Sequence, residues 1–411
     1  MMRVVIVGAG QAGSAAALKL RGLGFPGEIV LIGDEAIAPY QRPPLSKSYL
    51  LGKVAADALL IRPVSLYQDN NIELRLGCRV NHILPEARRI ETSMGSLGYD
   101  HLVLATGAKP VPLDPAMGGA LSNVFTLRTI DDIDRIASLF QAGRRVLVIG
   151  GGYIGLEAAA VAAQSGLEVV LVEMADRILK RVACAETAAY FRALHRRHGV
   201  RILESTAVRQ LEGHGAATLA RLSDGEELAV DLVIVGIGVK PDVTLANAAG
   251  LDVGDGIKVD ALGRTSREGI WAAGDCALFP YRDKPIRLES VPHAIDQAET
   301  VAANICGPRR PYIASPWFWS DQFDVKLQIA GLNANYDRVV VRDAGRPGVV
   351  SHWYFSGDTL LAVDAMNDAR SYMIAKRLIA SGVSPAPESV GSPATDLGHL
   401  LKSGAPATNC R

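Results

Sequence analysis

The strongest constraint on this chain is a constellation of strand, glycines, helix, strand and acid that occurs twice. Near the start, the β-branched run Val4-Val5-Ile6-Val7 has the character of a buried parallel strand and leads into Gly8, Gly10 and Gly13. A helical stretch follows over residues 15–20, then an apolar strand over 29–32, and Asp34 stands 21 residues past Gly13. The glycines have separate tasks. Gly8 permits a tight turn, Gly10 lets backbone approach a pyrophosphate at the helix N-terminus, and Gly13 lets the helix pack closely on the strand. The acid belongs where a ribose is bound. The pattern returns as a strand over 144–149, then Gly150, Gly152 and Gly155, an alanine-rich helix through Gln164, a strand over 168–172 and Glu173, 18 residues past Gly155. Two fingerprints imply two dinucleotides. A carboxylate at Glu173 suits a ribose diol and repels a 2′-phosphate, which favours NADH over NADPH at the second site.

A chain of 411 residues has room for two or three domains, and 49% hydrophobic with 21% charged residues is an ordinary globular balance. Lysine plus arginine equals aspartate plus glutamate, 43 of each, so no global field draws the chain to nucleic acid or an anionic membrane. The apolar stretches are broken by Gln11, Lys19 or Glu157 before they reach spanning length, and the first strand at Arg3 leaves no space for a leader. The expectation is a soluble cytoplasmic protein without nucleic-acid or membrane partners. Cys78, Cys184, Cys276, Cys306 and Cys410 are far apart, with no C-x-x-C pair. They read as small buried hydrophobes with one exposed thiol at the tail, and no metal site is expected.

Residues 39–50 form a stiff loop in which Pro43 and Pro44 forbid helix, and Ser46 is placed to cap a short helix beginning near Lys47. Two readings stand: a solvated connection, or a rigid arm that holds Lys47 over a cofactor's reactive end. A strand over 100–107 runs into a polyproline-like linker at 108–112, a domain boundary. Residues 232–241 are a buried strand running into glycines, and 269–276 a strand ending in Gly274-Asp275. After a proline-rich hinge at 307–311, strands over 325–329, 338–342, 349–355 and 359–364 and a helix over 369–379 stopped by Gly382 form an α+β domain. Trp317, Phe318, Trp319 and Phe323 crowd together as its core, and the tail from Ser384 reads as loop.

Taken in order, the two fingerprints, Ala105-Thr106-Gly107, Glu173 and Gly274-Asp275 resemble the two-dinucleotide-binding flavoprotein reductases from Arg3 to about Cys306. That resemblance implies a glutathione-reductase-like α/β fold with two Rossmann-like domains. The FAD domain covers 1–110 and 240–311, an inserted NADH domain 111–239, and a C-terminal α+β domain 312–411. Disulfide reductases of this superfamily carry redox cysteines at or just beyond the Arg42-Pro43-Pro44-Leu45-Ser46-Lys47 loop, and this chain has none between Met1 and Leu76. The loop is similar to that of NADH-dependent ferredoxin reductases feeding P450 monooxygenases and Rieske dioxygenases, as are residues 289–294 and 316–322. Asp34, Lys47, Val80, Arg128, Asp275 and Val291 are implied to contact FAD, with Asp275 on the ribityl chain. Ala12, Ala105, Thr106, Gly107 and Gly274 join Gly8, Gly10 and Gly13 at the same cofactor. Gly152, Ile154, Glu157, Glu173 and Gly238, with Gly150 and Gly155, are implied at NADH or its junction with the flavin. Arg309, Arg310 and Lys326 are candidate docking cations for an acidic [2Fe-2S] ferredoxin.

FAD would take a hydride at N5 while the protein supplies orientation and charge. Lys47 near N5 would stabilise charge on the reduced ring, and a buried ammonium needs a partner, for which Glu157 is predicted. The helix beginning at Pro292 as N1 should aim its amides at the flavin N1 and C2 carbonyl. Tyr153 either stacks where nicotinamide enters or anchors the core, and Trp319 either lines the electron path beside the flavin or belongs to the core. The chain is expected to be an NADH:ferredoxin oxidoreductase, monomeric or weakly dimeric. A flavin reductase acting on oxygen or a quinone is the alternative.

Overall fold

The computed structural model describes residues 1–403; Cys410 lies outside them. By packing, the chain divides into two units. The first comprises residues 1–44, 54–109 and 239–314, and the second 45–53, 110–238 and 315 onward.

The first unit is built on a five-stranded parallel sheet in the order Ile270–Ala272, His101–Leu104, Arg3–Val7, Glu28–Ile32, Ile72–Arg75. Strand alternation sorts its side chains into two cores. Val4, Ile6, Leu31 and Val103 face the helices Gln11–Gly22 and Val291–Cys306. Val5, Val7, Val30 and Leu102 face the other way, onto the antiparallel ribbon Val80–Leu84, Arg89–Thr92, Gly95–Gly98. A continuous β-branched run is what a strand buried on both faces requires.

The second unit repeats the plan: a parallel sheet ordered Arg201–Leu203, Glu168–Val172, Arg145–Ile149, Leu232–Val235, Val124–Thr126, with an antiparallel ribbon over Val208–Ala229. It also contains a five-stranded antiparallel sheet in the order Trp317–Gln322, Val325–Gly331, Thr359–Met366, Val349–Ser356, Arg338–Arg346. The helix Ala369–Ser381 packs on this sheet and ends on Gly382, in the left-handed conformation that glycine adopts without cost. A buried polar cluster joins this sheet to the helix Ala185–Arg197. Thr187 Oγ1 lies 2.7 Å from His352 Nδ1 and donates to Asp364 Oδ2 at 2.8 Å, and the Tyr354 hydroxyl donates to the same oxygen. Burial pushes Asp364 up to about 6 and His352 down to about 4, which keeps the imidazole neutral beside the acid.

Several expectations need correction. Residues 108–110 are a short strand paired with Val239–Pro241, not a polyproline linker. Trp317, Phe318, Trp319 and Phe323 are only half-buried; on the edge strand Trp317–Gln322 the fully buried positions are Ser320 and Gln322. The core of that sheet is instead Trp353, Phe355, Leu360, Val363 and Leu378. The tail carries helices at Pro387–Gly391 and Leu397–Ser403, whose Val390, Leu397 and Leu400 close that core. Ser46 caps nothing: Leu45–Tyr49 is one π-helical turn, and its serine hydroxyl is used elsewhere. Pro292 is the second residue of its helix, after Val291, with Ser290 as the cap. No helix among the described residues is long and apolar enough to cross a membrane. Among the described residues, Cys78, Cys184 and Cys276 are buried thiols and Cys306, at a helix end, is exposed; the tail thiol expected at Cys410 lies outside them.

Candidate functional site

In the first unit, Gly8 has φ +113°, and a Cβ there would stand 2.1 Å from the Ala105 carbonyl oxygen. A Cβ at Gly13 would stand 1.9 Å from the Gly8 carbonyl oxygen, so this glycine lets helix and strand touch. Gly10 differs. A Cβ there would meet no atom of the chain within 4 Å, although it caps the Gln11–Gly22 helix. Nothing in the protein demands glycine at that position, and the open space above a helix N-terminus is a cradle that fits a pyrophosphate. Around it, Thr106 Oγ1 donates to the Asp242 carbonyl at 2.7 Å, and Gly107 and Gly274 have φ of +68° and +81°. The Gly274 N–H donates to Gln297 Oε1 at 2.8 Å, and a Cβ on Gly274 would come within 3.0 Å of Ala12 Cβ. Asp275 follows, half-buried, and Val291 opens the second helix of this face.

Asp34 is exposed two residues beyond its strand, 3.8 Å from the Arg79 guanidinium. The Val80 side chain lies in the core, and the residue pairs with Thr92 in its ribbon. One cation was missed by sequence reasoning. Arg42 donates to Glu35 Oε1 at 2.7 Å, and Tyr40 donates to Glu35 Oε2 at 2.6 Å. Burial works against the charge of Arg42, but Tyr40, Glu35 and Asp275 outweigh it and raise its pKa. The available signal was an arginine immediately before two prolines, a cation on a chain segment unable to relax.

The second loop has the same division of labour. Gly150 has φ +105°, with a Cβ 2.4 Å from the Gly236 carbonyl oxygen, and Gly155 would meet the Gly150 carbonyl oxygen at 2.0 Å. Gly152, the helix cap, again faces nothing within 4 Å. Glu173 is pinned: Oε2 accepts from the Gly151 N–H and Oε1 from the Ala175 N–H, each at 2.7 Å. Gly238 has φ +117°, and a Cβ there would lie 3.5 Å from an Arg181 nitrogen. Ile154 is exposed on the first turn of the helix. The Tyr153 ring packs 5.0 Å from Phe318, its hydroxyl buried without a partner and its pKa pushed well up by burial.

The helix opened by the second loop carries one half of a buried ion pair, at Glu157. Lys47 Nζ lies 3.0 Å from Glu157 Oε1 across 110 positions of sequence, with only 3% of the Glu157 side chain exposed. Ser46 donates to Oε2 at 2.9 Å and Ser320 to Oε1 at 2.7 Å. Burial raises the Glu157 pKa, while Lys47 and the two serines pull against it. A second acid, Asp321, lies 3.9 Å from Lys47, and Tyr49 anchors the loop through Asp134 at 2.7 Å. These contacts explain why residues 45–53 pack with the second unit.

Arg128 is half-buried in the second unit, its N–H donating to Asp132, and Trp319 lies 5.6 Å from Trp317. Arg309, Arg310 and Lys326 are all exposed, the first two in the first unit and the last in the second.

The model for the pyridine nucleotide-disulphide oxidoreductases matches residues 2–298, and a reductase C-terminal model matches 317–401. The rhodocoxin reductase of Rhodococcus erythropolis is 42% identical, over 96% of this chain and 93% of its own length. The putidaredoxin reductase of Pseudomonas putida is 41% identical, over 97% of this chain and 96% of its own. The crystal structure of the covalent putidaredoxin reductase–putidaredoxin complex superposes with a TM-score of 0.95 at 40% identity, covering 98% of this chain and 99% of that one. With two glycine cradles, a buried ammonium–carboxylate pair and relatives alike from end to end, this chain belongs to the pyridine nucleotide-disulphide oxidoreductase family.

Proposed function

We propose that the protein is an FAD-dependent NADH:ferredoxin oxidoreductase. NADH and two oxidised [2Fe-2S] ferredoxins give NAD⁺, a proton and two reduced ferredoxins, which in turn supply a P450 or Rieske oxygenase. The observation that carries the reading is that both glycine loops leave their middle glycine facing open space while the loop at Lys47 has no thiol to receive electrons. The FAD domain, residues 1–110 with 240–311, holds FAD. Gly8, Gly10, Ala12 and Gly13 carry its pyrophosphate with Arg42 as a nearby cation, Asp34 takes the ribose, and Asp275 takes the ribityl chain. Residues 111–239 hold NADH through Gly150, Gly152, Ile154, Gly155 and Glu173, with Gly238 at the junction. The flavin when bound converts a hydride into single electrons. Lys47 stabilises the negative charge that reduction brings, Glu157 holds Lys47 in place, and the Val291–Cys306 helix presents its N-terminal amides to the same charge. Arg309, Arg310 and Lys326 are docking cations for an acidic ferredoxin. The protein acts in the cytoplasm.

The test is reduction of the purified yellow protein by NADH, with cytochrome c reporting one-electron output. Strong dependence on added [2Fe-2S] ferredoxin supports the reading; NADH consumed as fast with oxygen or a quinone alone overturns the acceptor. Donor choice is tested separately. Because Glu173 is held by two backbone N–H groups, its carboxylate is fixed where a 2′-phosphate would come. Glu173→Ala is expected to erode the NADH over NADPH ratio of kcat/KM by roughly tenfold or more, about 1.4 kcal/mol per decade. An unchanged ratio would move donor selection elsewhere.

A further inference from the structure

The side chain of Glu157 is the end of a buried polar chain that no part of the mechanism above uses. Ser320, which donates to Glu157 Oε1 at 2.7 Å, itself accepts from Gln322 Nε2 at 3.1 Å. Gln322 Oε1 lies 2.8 Å from His195 Nε2, on the helix Ala185–Arg197. Ser320, Gln322 and His195 are all fully buried, at 0% exposure. Three buried polar side chains in series are costly unless each finds its partner, and such a chain can be satisfied in few ways.

The chain has one consistent direction. His195 Nδ1 is buried without a partner, so the ring proton belongs on Nε2, where Gln322 Oε1 can accept it. Burial pushes His195 down to about 4 and keeps the ring neutral. With Oε1 committed to His195, the Gln322 amide must turn its N–H toward Ser320 Oγ, which leaves the serine proton for Glu157. Phe323 packs edge-on to the ring at 5.0 Å and stacks on His198 at 3.8 Å, which fixes the imidazole. Ser320 and Gln322 point inward together because they alternate on one strand.

We propose that His195, Gln322 and Ser320 form a one-way hydrogen-bond relay whose task is to keep Glu157 ionised beside Lys47. All three are positioning residues: His195 sets the Gln322 amide, the amide sets the Ser320 hydroxyl, and the hydroxyl stabilises the carboxylate. The other groups facing Glu157 are Lys47 and Ser46 from the loop, with Asp321 beyond Lys47. Reversal of the amide would turn the serine proton toward Gln322 and strip Glu157 of one donor. The role rests on the reading of Lys47 and Glu157 as the charged pair at the redox centre.

The experiment is an infrared titration of the holoenzyme, reading the protonated-carboxyl band that Glu157→Gln abolishes. Ser320→Ala should raise the apparent Glu157 pKa by about one pH unit, a roughly tenfold gain in proton affinity, whereas Ser320→Thr, which keeps the hydroxyl, should leave it in place. His195→Phe should shift it in the same direction, and His195→Gln, whose amide N–H can still donate to Gln322, should restore it. An unmoved band in Ser320→Ala, or equal shifts in His195→Phe and His195→Gln, would overturn the relay. If His195→Phe does not fold, the Ser320→Ala and Ser320→Thr pair decides. The flavin midpoint potential, measured on the same variants, separates the two ideas. An infrared shift with an unmoved potential keeps the relay and removes the Lys47–Glu157 pair from the cofactor.

Discussion

Gly10→Val is expected to yield a folded protein without its yellow colour, whereas Gly13→Val is expected not to accumulate as folded protein. The two glycines are three residues apart in one motif, yet they answer to different partners. At Gly10 the backbone is extended, with φ −95° and ψ −158°, and a Cβ meets nothing of the chain within 4 Å. A valine fits that conformation without strain and fills the space above the helix N-terminus. The lost volume belongs to the ligand alone, so flavin affinity should fall about a thousandfold, ~4 kcal/mol, with little change in unfolding midpoint. At Gly13 the same side chain would drive into the Gly8 carbonyl, where even a Cβ stands at 1.9 Å. Helix and strand must then part, because the obstacle is backbone that cannot turn aside, and the cost is expected to exceed the roughly 3 kcal/mol at the top of the usual overpacking range. Visible absorbance of the purified variants and their far-ultraviolet circular dichroism read both outcomes. The second loop should repeat the contrast: Gly152→Val keeps flavin and loses NADH, while Gly155→Val, with a Cβ 2.0 Å from the Gly150 carbonyl oxygen, loses the fold. A flavin-replete Gly10→Val would show that the open space over that helix holds something else.

The glycine loops were legible because everything that defines them is close along the chain: a strand, a turn, a helix start, and an acid about twenty residues on. Patterns of this kind survive without knowledge of tertiary contacts. The Lys47–Glu157 pair is of another sort. Its members are 110 positions apart, and only chemical need, a cation near reduced flavin requiring a counter-charge, joined them before coordinates did. The polar side chains behind Glu157 do have a signal in the sequence. In Trp317-Phe318-Trp319-Ser320-Asp321-Gln322 the large aromatics drew the reading toward a core, when the inward positions at the end of that strand were the small polar Ser320 and Gln322. Bulk alone does not decide which positions of a strand are covered: here they are Ser320 and Gln322, while Trp317, Phe318 and Trp319 stay half-buried. The tail failed for a related reason. Serine, proline and glycine after Ser384 suggested loop, but Val390, Leu397 and Leu400 are spaced to cover a sheet face and fold into short helices to do so. Arg42 was overlooked because its role depends on Glu35 and Asp275 approaching it in space.

Lys47→Met is expected to destabilise the protein increasingly as the pH rises. In the folded protein, burial already lifts the Glu157 pKa, and Lys47 is the strongest force opposing that lift, ahead of Ser320 and Ser46. Removing the ammonium raises the folded pKa further, while the unfolded value stays near about 4.3. For an acid whose folded pKa is raised, stability is intact below the unfolded pKa and is lost as pH climbs toward the folded one. The variant should therefore approach wild type near pH 5 and fall behind it by roughly 3 kcal/mol at pH 8, the lower end for breaking a buried pair. The lower end applies because 18% of the Lys47 side chain remains exposed. Lys47→Met combined with Glu157→Gln removes the carboxylate that titrates, so the pH-dependent part of the loss should vanish. Urea unfolding at pH 5, 7 and 8 measures all three proteins. A Lys47→Met deficit independent of pH would mean that Glu157 is already protonated in the native protein; the 3.0 Å contact would then be a hydrogen bond to a neutral acid, and Lys47 would need Asp321 as its counter-charge.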